Sequence, residues 1–205
     1  MKLHNQLECQ LTESDIISFL KNAYFGAIED IVSTAAHSAY LDLNRTIEFK
    51  QTEAITDGIK GELRNEVADM IVSEINDLFS FPCVESVFFD DWHDSLCKRI
   101  ISKYRDRHVC FHYGQAQKWI NMTMKYFCVL NLSEANRIVH LMHLPIDSNV
   151  FERADDLLSI PYPNFRWSRM TEEQYKGYLT SIRDALSRQN PSSAPMIWEF
   201  KNWER

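Results

Sequence analysis

The sequence predicts an all-α protein, and three observations carry that expectation. Long stretches free of Pro and Gly place apolar residues at helical spacing rather than in strict alternation. Thr or Asp stands just ahead of several of these stretches, where helices are capped. No segment reads as a sheet strand, and there is neither an internal repeat nor a low-complexity tract. A hydrophobic content of 45% supports a buried core and argues against disorder. The 205 residues suffice for one domain, 1–205, or for two helical lobes sharing a cleft, 1–97 and 98–205.

Taken in order, Thr12 and Asp15 have capping-box spacing ahead of Ile16, Ile17, Phe19 and Leu20, which predicts a first helix over residues 12–25. Residues 27–43 continue helically through Ile28, Ile31, Val32, Ala35 and Ala36. The polar stretch 44–61, with Gly58 and Gly61, reads as a loop or a short exposed helix. Leu63, Val67, Met70, Ile71, Ile75 and Leu78 then mark a helix over 62–79 whose other face is acidic. Pro82 breaks it. Asp90, Asp91 and Asp94 around Trp92 read as the acidic start of a helix running to about Ile101. A metal-binding acid cluster is the other reading, but no ligand spacing supports it. A helix over 115–130, a helix from Asp147 to about Ser159 and a helix capped by Thr171 follow. A Pro/Ser linker over 190–195 and a short amphipathic tail with Trp198, Phe200 and Trp203 close the chain.

Charge is divided unevenly. The net charge is −7, but residues 1–97 carry 6 Lys and Arg against 18 Asp and Glu, while residues 98–205 carry 16 against 11. A polyanion would therefore meet the second half. Within it, Lys98, Arg99, Lys103, Arg105 and Arg107 fall inside ten residues, as a solvated face or as contacts to phosphate. Cys9, Cys83, Cys97, Cys110 and Cys128 include no CxxC pair, so neither a disulfide framework nor a zinc ribbon is expected. His108 and His112 stand four apart without a third ligand nearby, and no metal is expected. The start Met1-Lys2-Leu3-His4-Asn5-Gln6 has no apolar leader, and no apolar run nears the ~20 residues of a membrane span. A cytoplasmic monomer is expected.

Residues 113–151 are the most informative stretch. The helix expected at 115–130 is entered through Tyr113-Gly114 and is apolar over most of its circumference, so it should be buried. It nevertheless carries Lys118 in its first turn and Lys125 two turns later on the same face. Pro145 favours an extended chain before it, which places Asp147 or Ser148 as the cap of the next helix. Burying an amine and a carboxylate disfavours both charges, while their mutual attraction favours them. A partly neutral lysine attacks carbonyl or sugar carbons. Equally, Lys118 reads as a snorkelling lysine and Asp147 as a plain cap.

Gly114-Gln115-Ala116-Gln117-Lys118 followed by Pro145-Ile146-Asp147-Ser148 resembles the helix-hairpin-helix DNA glycosylases, in which a lysine follows a glycine-bearing hairpin and a Pro-hydrophobic-Asp-Ser/Thr segment comes later. The separation, 147 − 118 = 29, is most similar to the archaeal 8-oxoguanine glycosylase branch. The hairpin has one Gly where the usual pattern has two. The resemblance covers residues 113–151. It implies a helix-hairpin-helix fold around a cleft and excision of a flipped base from double-stranded DNA, with Lys118 and Asp147 catalytic. Gly114, Gln115, Gln117 and the basic run would hold the strand, and Trp119, His143, Phe88 or Trp92 would line the base pocket. No cofactor is implied: the iron-sulfur cluster of some relatives needs four cysteines near the C-terminus, and none follows Cys128. The implied substrate is a bulky phage-type modified cytosine, as for bacterial anti-phage glycosylases, or 8-oxoguanine. A silent DNA-binding protein and a metal nuclease built on Glu85, Asp90, Asp91 and Asp94 remain the other classes.

Overall fold

The computed structural model describes residues 11–26, 30–49, 57–190 and 192–203. The expectations for the N-terminal leader, for Cys9, for the first residues of the 27–43 helix and for Pro191 lie outside them. The described residues are all-helical apart from one isolated antiparallel bridge, Glu48 to Cys110. In chain order the α-helices are α1 (Glu13–Phe25), α2 (Ile31–Leu41), α3 (Asp57–Ser80), α4 (Ser86–Asp106), α5 (Tyr113–Val129), α6 (Ser133–Ile138), α7 (Ser148–Leu158), α8 (Glu172–Gln189) and α9 (Pro195–Lys201). Short 3-10 turns occupy Asn44–Thr46 and Trp167–Arg169. No described helix is long and apolar enough to cross a membrane.

The predicted caps form. Thr12 and Asp15 close a capping box on α1, Thr171 and Gln174 do the same on α8, and Asp147 caps α7. The boundaries differ in two places. α3 starts at Asp57, not Glu62, and takes Gly58 and Gly61 into its first turns. A glycine costs an exposed helix only about 1 kcal/mol relative to alanine, less than the apolar face of α3 recovers. α4 runs on to Asp106 because Tyr104, one turn beyond Ile100, extends its buried face past Ile101.

α5 is the central element. Every residue from Tyr113 to Phe127 is buried, and it packs against α2, α4, α6, α8 and the 167–169 turn. α2 offers it a face of small residues, Ala35, Ala36 and Ala39, all with no exposed surface. That face leaves room for Trp119 against α2, with its indole N–H donating to the Ala36 carbonyl at 2.9 Å. By analogy with large-to-small substitutions in other cores, this ring contributes about 3–5 kcal/mol. α5 begins at Tyr113, so Gly114 sits inside its first turn rather than in a turn before it. A Cβ at Gly114 would lie 1.8 Å from the Trp167 carbonyl oxygen, and the Gly114 N–H donates to the Met170 carbonyl at 3.0 Å. Gly114 is therefore a close-approach residue that lets the 167–169 turn rest on the helix start.

Candidate active site

Lys118 and Asp147 meet. The Lys118 Nζ donates to Asp147 Oδ2 at 2.5 Å, with the two residues 4% and 8% exposed. Asp147 Oδ1 accepts from the Val150 N–H at 3.0 Å, so both carboxylate oxygens have a partner. The chain ahead of Asp147 is held by Gln117. Its Nε2 donates to the Ile146 carbonyl at 2.7 Å and its Oε1 accepts from the Ile146 N–H at 3.2 Å, much as a neighbouring strand would. Pro145 supplies the extended approach and Gln117 fixes its position one helical step from Lys118.

A second pair lies seven residues along the same helix. Lys125 Nζ donates to Glu199 Oε1 at 2.7 Å, and Lys125 sits 3.7 Å from the centroid of the Trp203 ring. Glu199 is 3% exposed and its Oε2 is buried without a hydrogen-bond partner. Burial pushes the Glu199 carboxyl above its ordinary range, against the charge and hydrogen bond of Lys125. Lys118 and Asp147 also act on it, so the two pairs share one electrostatic cluster. Asp42 belongs to the same cluster. Burial raises its carboxyl, while the Tyr126 hydroxyl, donating at 2.6 Å, and both lysines oppose that shift. Tyr24 donates in turn to Tyr126 at 2.7 Å, which ties α1 to α5.

Two cavities border the second pair. One, about 500 Å³, lies among Leu20 and Tyr24 of α1, Met122, Lys125 and Tyr126 of α5, and Trp203. The other, about 280 Å³, is lined by Asn149, Arg153 and Asp156 of α7 with Glu199, Asn202 and Trp203. Trp203 borders both. The second cavity reaches Asn149, two residues after Asp147, but neither Asp147 nor Lys118 lines it.

The expected strand contacts fall differently. Gln115 and Gln117 do not face solvent. Gln115 accepts the His112 N–H and donates to Thr46, while Gln117 is occupied with Ile146 and Gly114. Their amides satisfy buried backbone groups that would otherwise be orphaned. Gly114 is likewise covered, by the 167–170 segment. Of the basic run, Lys98 pairs with Asp94 and Glu172, Arg99 with Glu74, and Lys103 with Glu66. The acidic face of α3 answers this stretch of α4, so the run is largely neutralised where it stands. Arg105 reaches Ser102, and Arg107 is exposed.

The expected base-pocket residues are also dispersed. Trp119 is core, against Tyr40. Phe88 is exposed beside Phe81, and Trp92 is partly buried against Phe89 with its indole N–H unpartnered. His143 is buried in a network that no sequence pattern announced. Its Nε2–H donates to Asp90 at 2.6 Å, and its Nδ1 accepts from Tyr175, whose oxygen accepts from Asn121. Burial alone would raise the Asp90 carboxyl, but His143 and two bonds from Arg183 hold it well below the usual range. Burial lowers both His93 and His143. Two acids of the cluster around Trp92 are thus engaged with cations and hydroxyls, Asp90 as above and Asp94 with Lys98, Lys176 and Tyr113, while Asp91 is exposed. Among the described residues no group of three His, Cys, Asp or Glu side chains is placed to hold a metal ion.

Reading the sequence alone missed Glu199, Asp42 and Tyr126. Lys125 was visible as a second amine on the Lys118 face, but its carboxylate comes from 74 residues away and no local pattern connects them. Compared with protein-family models, with curated proteins and with solved structures, the chain finds no match.

Proposed function

We propose that the protein is a DNA N-glycosylase that flips a modified base out of duplex DNA and excises it. The observation that carries this reading is the Lys118–Asp147 contact. The two residues singled out by the resemblance, 29 apart in sequence, form one buried 2.5 Å pair. In this reading α4, the 107–112 connection and α5 are the hairpin unit, and the helices before and after them are two lobes about the cleft.

The chemistry follows from the pair. The bond from C1′ to the base breaks with positive charge building on the sugar, and the Asp147 carboxylate stabilises that charge. Asp147 also accepts a proton from Lys118, freeing its lone pair to attack C1′. The Nζ–C1′ bond forms as the C1′–base bond breaks, the electron pair leaving with the base, which takes the proton held by Asp147 and so restores the carboxylate. The C1′–O4′ bond then opens, O4′ taking that bond's electron pair and a proton from Nζ, and the resulting iminium opens the way to strand cleavage. Water attacking in place of Lys118 leaves an abasic site. Of the two substrates the resemblance implies, a bulky phage-type modified cytosine is the one proposed, with 8-oxoguanine as the alternative. A cytoplasmic monomer acting in anti-phage defence fits this substrate.

The test is incubation of the protein with unmodified, oxidised and glucosylated phage DNA, scoring released base by mass. Release from glucosylated DNA is expected. Release from oxidised DNA alone would transfer the assignment to 8-oxoguanine repair, and no release from any of the three would sink the glycosylase reading.

A further inference from the structure

A separate pocket of about 240 Å³ lies at the start of α5, lined by Arg45 of the 44–46 turn, His112, Arg166, and Ser168 and Arg169 of the 167–169 turn, with Glu48 as its one acid. Three guanidinium groups from segments far apart in sequence converge here, in a chain whose net charge is −7. Only Arg169 is neutralised, by Glu48 at 2.5 Å. Among the described residues, neither Arg45 nor Arg166 makes a side-chain hydrogen bond or ion-pair contact; Arg166 acts on Glu48 only at longer range. The contrast with Lys98, Arg99 and Lys103, each paired with a carboxylate, is direct. Holding like charges together without a counter-charge is unfavourable, and an anion between them relieves it. Planar guanidinium forks with a serine hydroxyl and an imidazole suit the tetrahedral oxygens of a phosphate. Backbone amides offer less here. The His112 N–H is taken by Gln115 and the Gly114 N–H by Met170.

We propose that this pocket is a phosphate-binding site and that its occupant is a backbone phosphate of the DNA strand. The identity of the phosphate's source rests on the glycosylase reading; the pocket itself does not. The 167–169 turn links the two sites. Trp167 lies 6.0 Å from the Lys118 Nζ, while Ser168 and Arg169 line the pocket. A strand held by its phosphate at Arg45 and Arg166 is thereby set against the turn that borders the lysine.

The test uses the full chain with Arg45→Gln, Arg166→Gln and the double variant, all at exposed positions. Binding of duplex DNA is measured across a salt series, and binding of inorganic pyrophosphate by calorimetry. The double variant is expected to lose pyrophosphate binding and to bind duplex roughly tenfold more weakly, with the slope of log affinity against log salt shallower by about 1. Pyrophosphate binding lost in the variants, together with no duplex binding by the unaltered protein, would keep the phosphate pocket, assign it a free phosphate ligand and reject the DNA source along with the glycosylase reading. Unchanged binding of both probes in the double variant would overturn the pocket while leaving the glycosylase reading standing.

Discussion

Lys118 and Lys125 project from one helix, seven residues apart, and each is buried against a carboxylate delivered by a later helix. Their surroundings differ at one oxygen. Asp147 has its second oxygen occupied by the Val150 amide, so its carboxylate is fixed from both sides. Glu199 has its second oxygen buried and unmatched, and its lysine stacks on Trp203 at the edge of two cavities. A carboxylate gripped on both sides is preorganised and holds its charge in one place, as stabilisation of a developing cation requires. A carboxylate with an orphan oxygen is set to take a proton or a donor from a ligand instead. In the glycosylase proposal the first pair is therefore the one assigned charge stabilisation and attack, and the second pair is not.

The largest expected effect breaks that division if it fails. Lys118→Gln should abolish base release and the covalent protein–DNA adduct trapped by borohydride, while the protein remains folded, since Gln is a good helix former. Mapping the trapped peptide decides the matter: an adduct on Lys125 would exchange the roles of the two pairs. Base release without any adduct would make water the nucleophile, and full release by Lys118→Gln would deny the first pair its role.

Next in size is Lys125→Met, which removes an ammonium from a carboxylate that is 3% exposed. Breaking a buried pair from one side costs roughly 3–5 kcal/mol. Chemical denaturation at neutral pH should show that loss, and part of it should return as acid protonates Glu199. A variant as stable as the parent would mean the pair contributes nothing that Trp203 and Phe200 do not already supply.

Asp147→Asn sharpens the comparison from the other side. Asn still caps α7 through the Val150 N–H, so the fold and DNA binding should survive while turnover drops about a hundredfold, the usual effect of deleting one electrostatic stabiliser. Near-normal turnover would reduce Asp147 to a helix cap.

The smallest effect is a pH slope. Burial raises the Glu199 carboxyl above its ordinary 4.5, so the folded protein binds that proton more tightly than the unfolded chain. Stability from this group therefore falls as pH rises from about 4.5 through the raised value. Denaturation midpoints between pH 4 and 8 should show this fall in the parent and not in Glu199→Gln; parallel curves would mean the orphan oxygen does not titrate in this range.

What was legible in the sequence follows the range of the interactions involved. Thr12 with Asp15, Thr171, and Asp147 act within one turn, and each cap forms where local spacing places it. The Lys118–Asp147 contact was legible because two short segments carry it. The basic run was not, because its partners Glu66 and Glu74 come from α3 and Glu172 from α8, and nothing local to residues 98–107 reveals them. Gln115 and Gln117 look like surface amides until the backbone groups they satisfy, in Thr46 and Ile146, are brought beside them by the fold. Arg45, Arg166 and Arg169 passed unnoticed for the same reason: they converge only once the 44–46 and 167–169 turns are folded against the start of α5.

Gly114 has no side chain, yet among the described glycines it is the one where a Cβ would meet a neighbouring backbone. A single methyl group there would collide with the Trp167 carbonyl, and backbone cannot swing aside as a side chain does. The segment that would be displaced carries Trp167 on one flank and Arg169 on the other. The mildest replacement available in the genetic code would therefore strike the lysine's surroundings and the arginine pocket together. In mutational terms the two sites are a single target, and the hydrogen atom at position 114 is what keeps them in register.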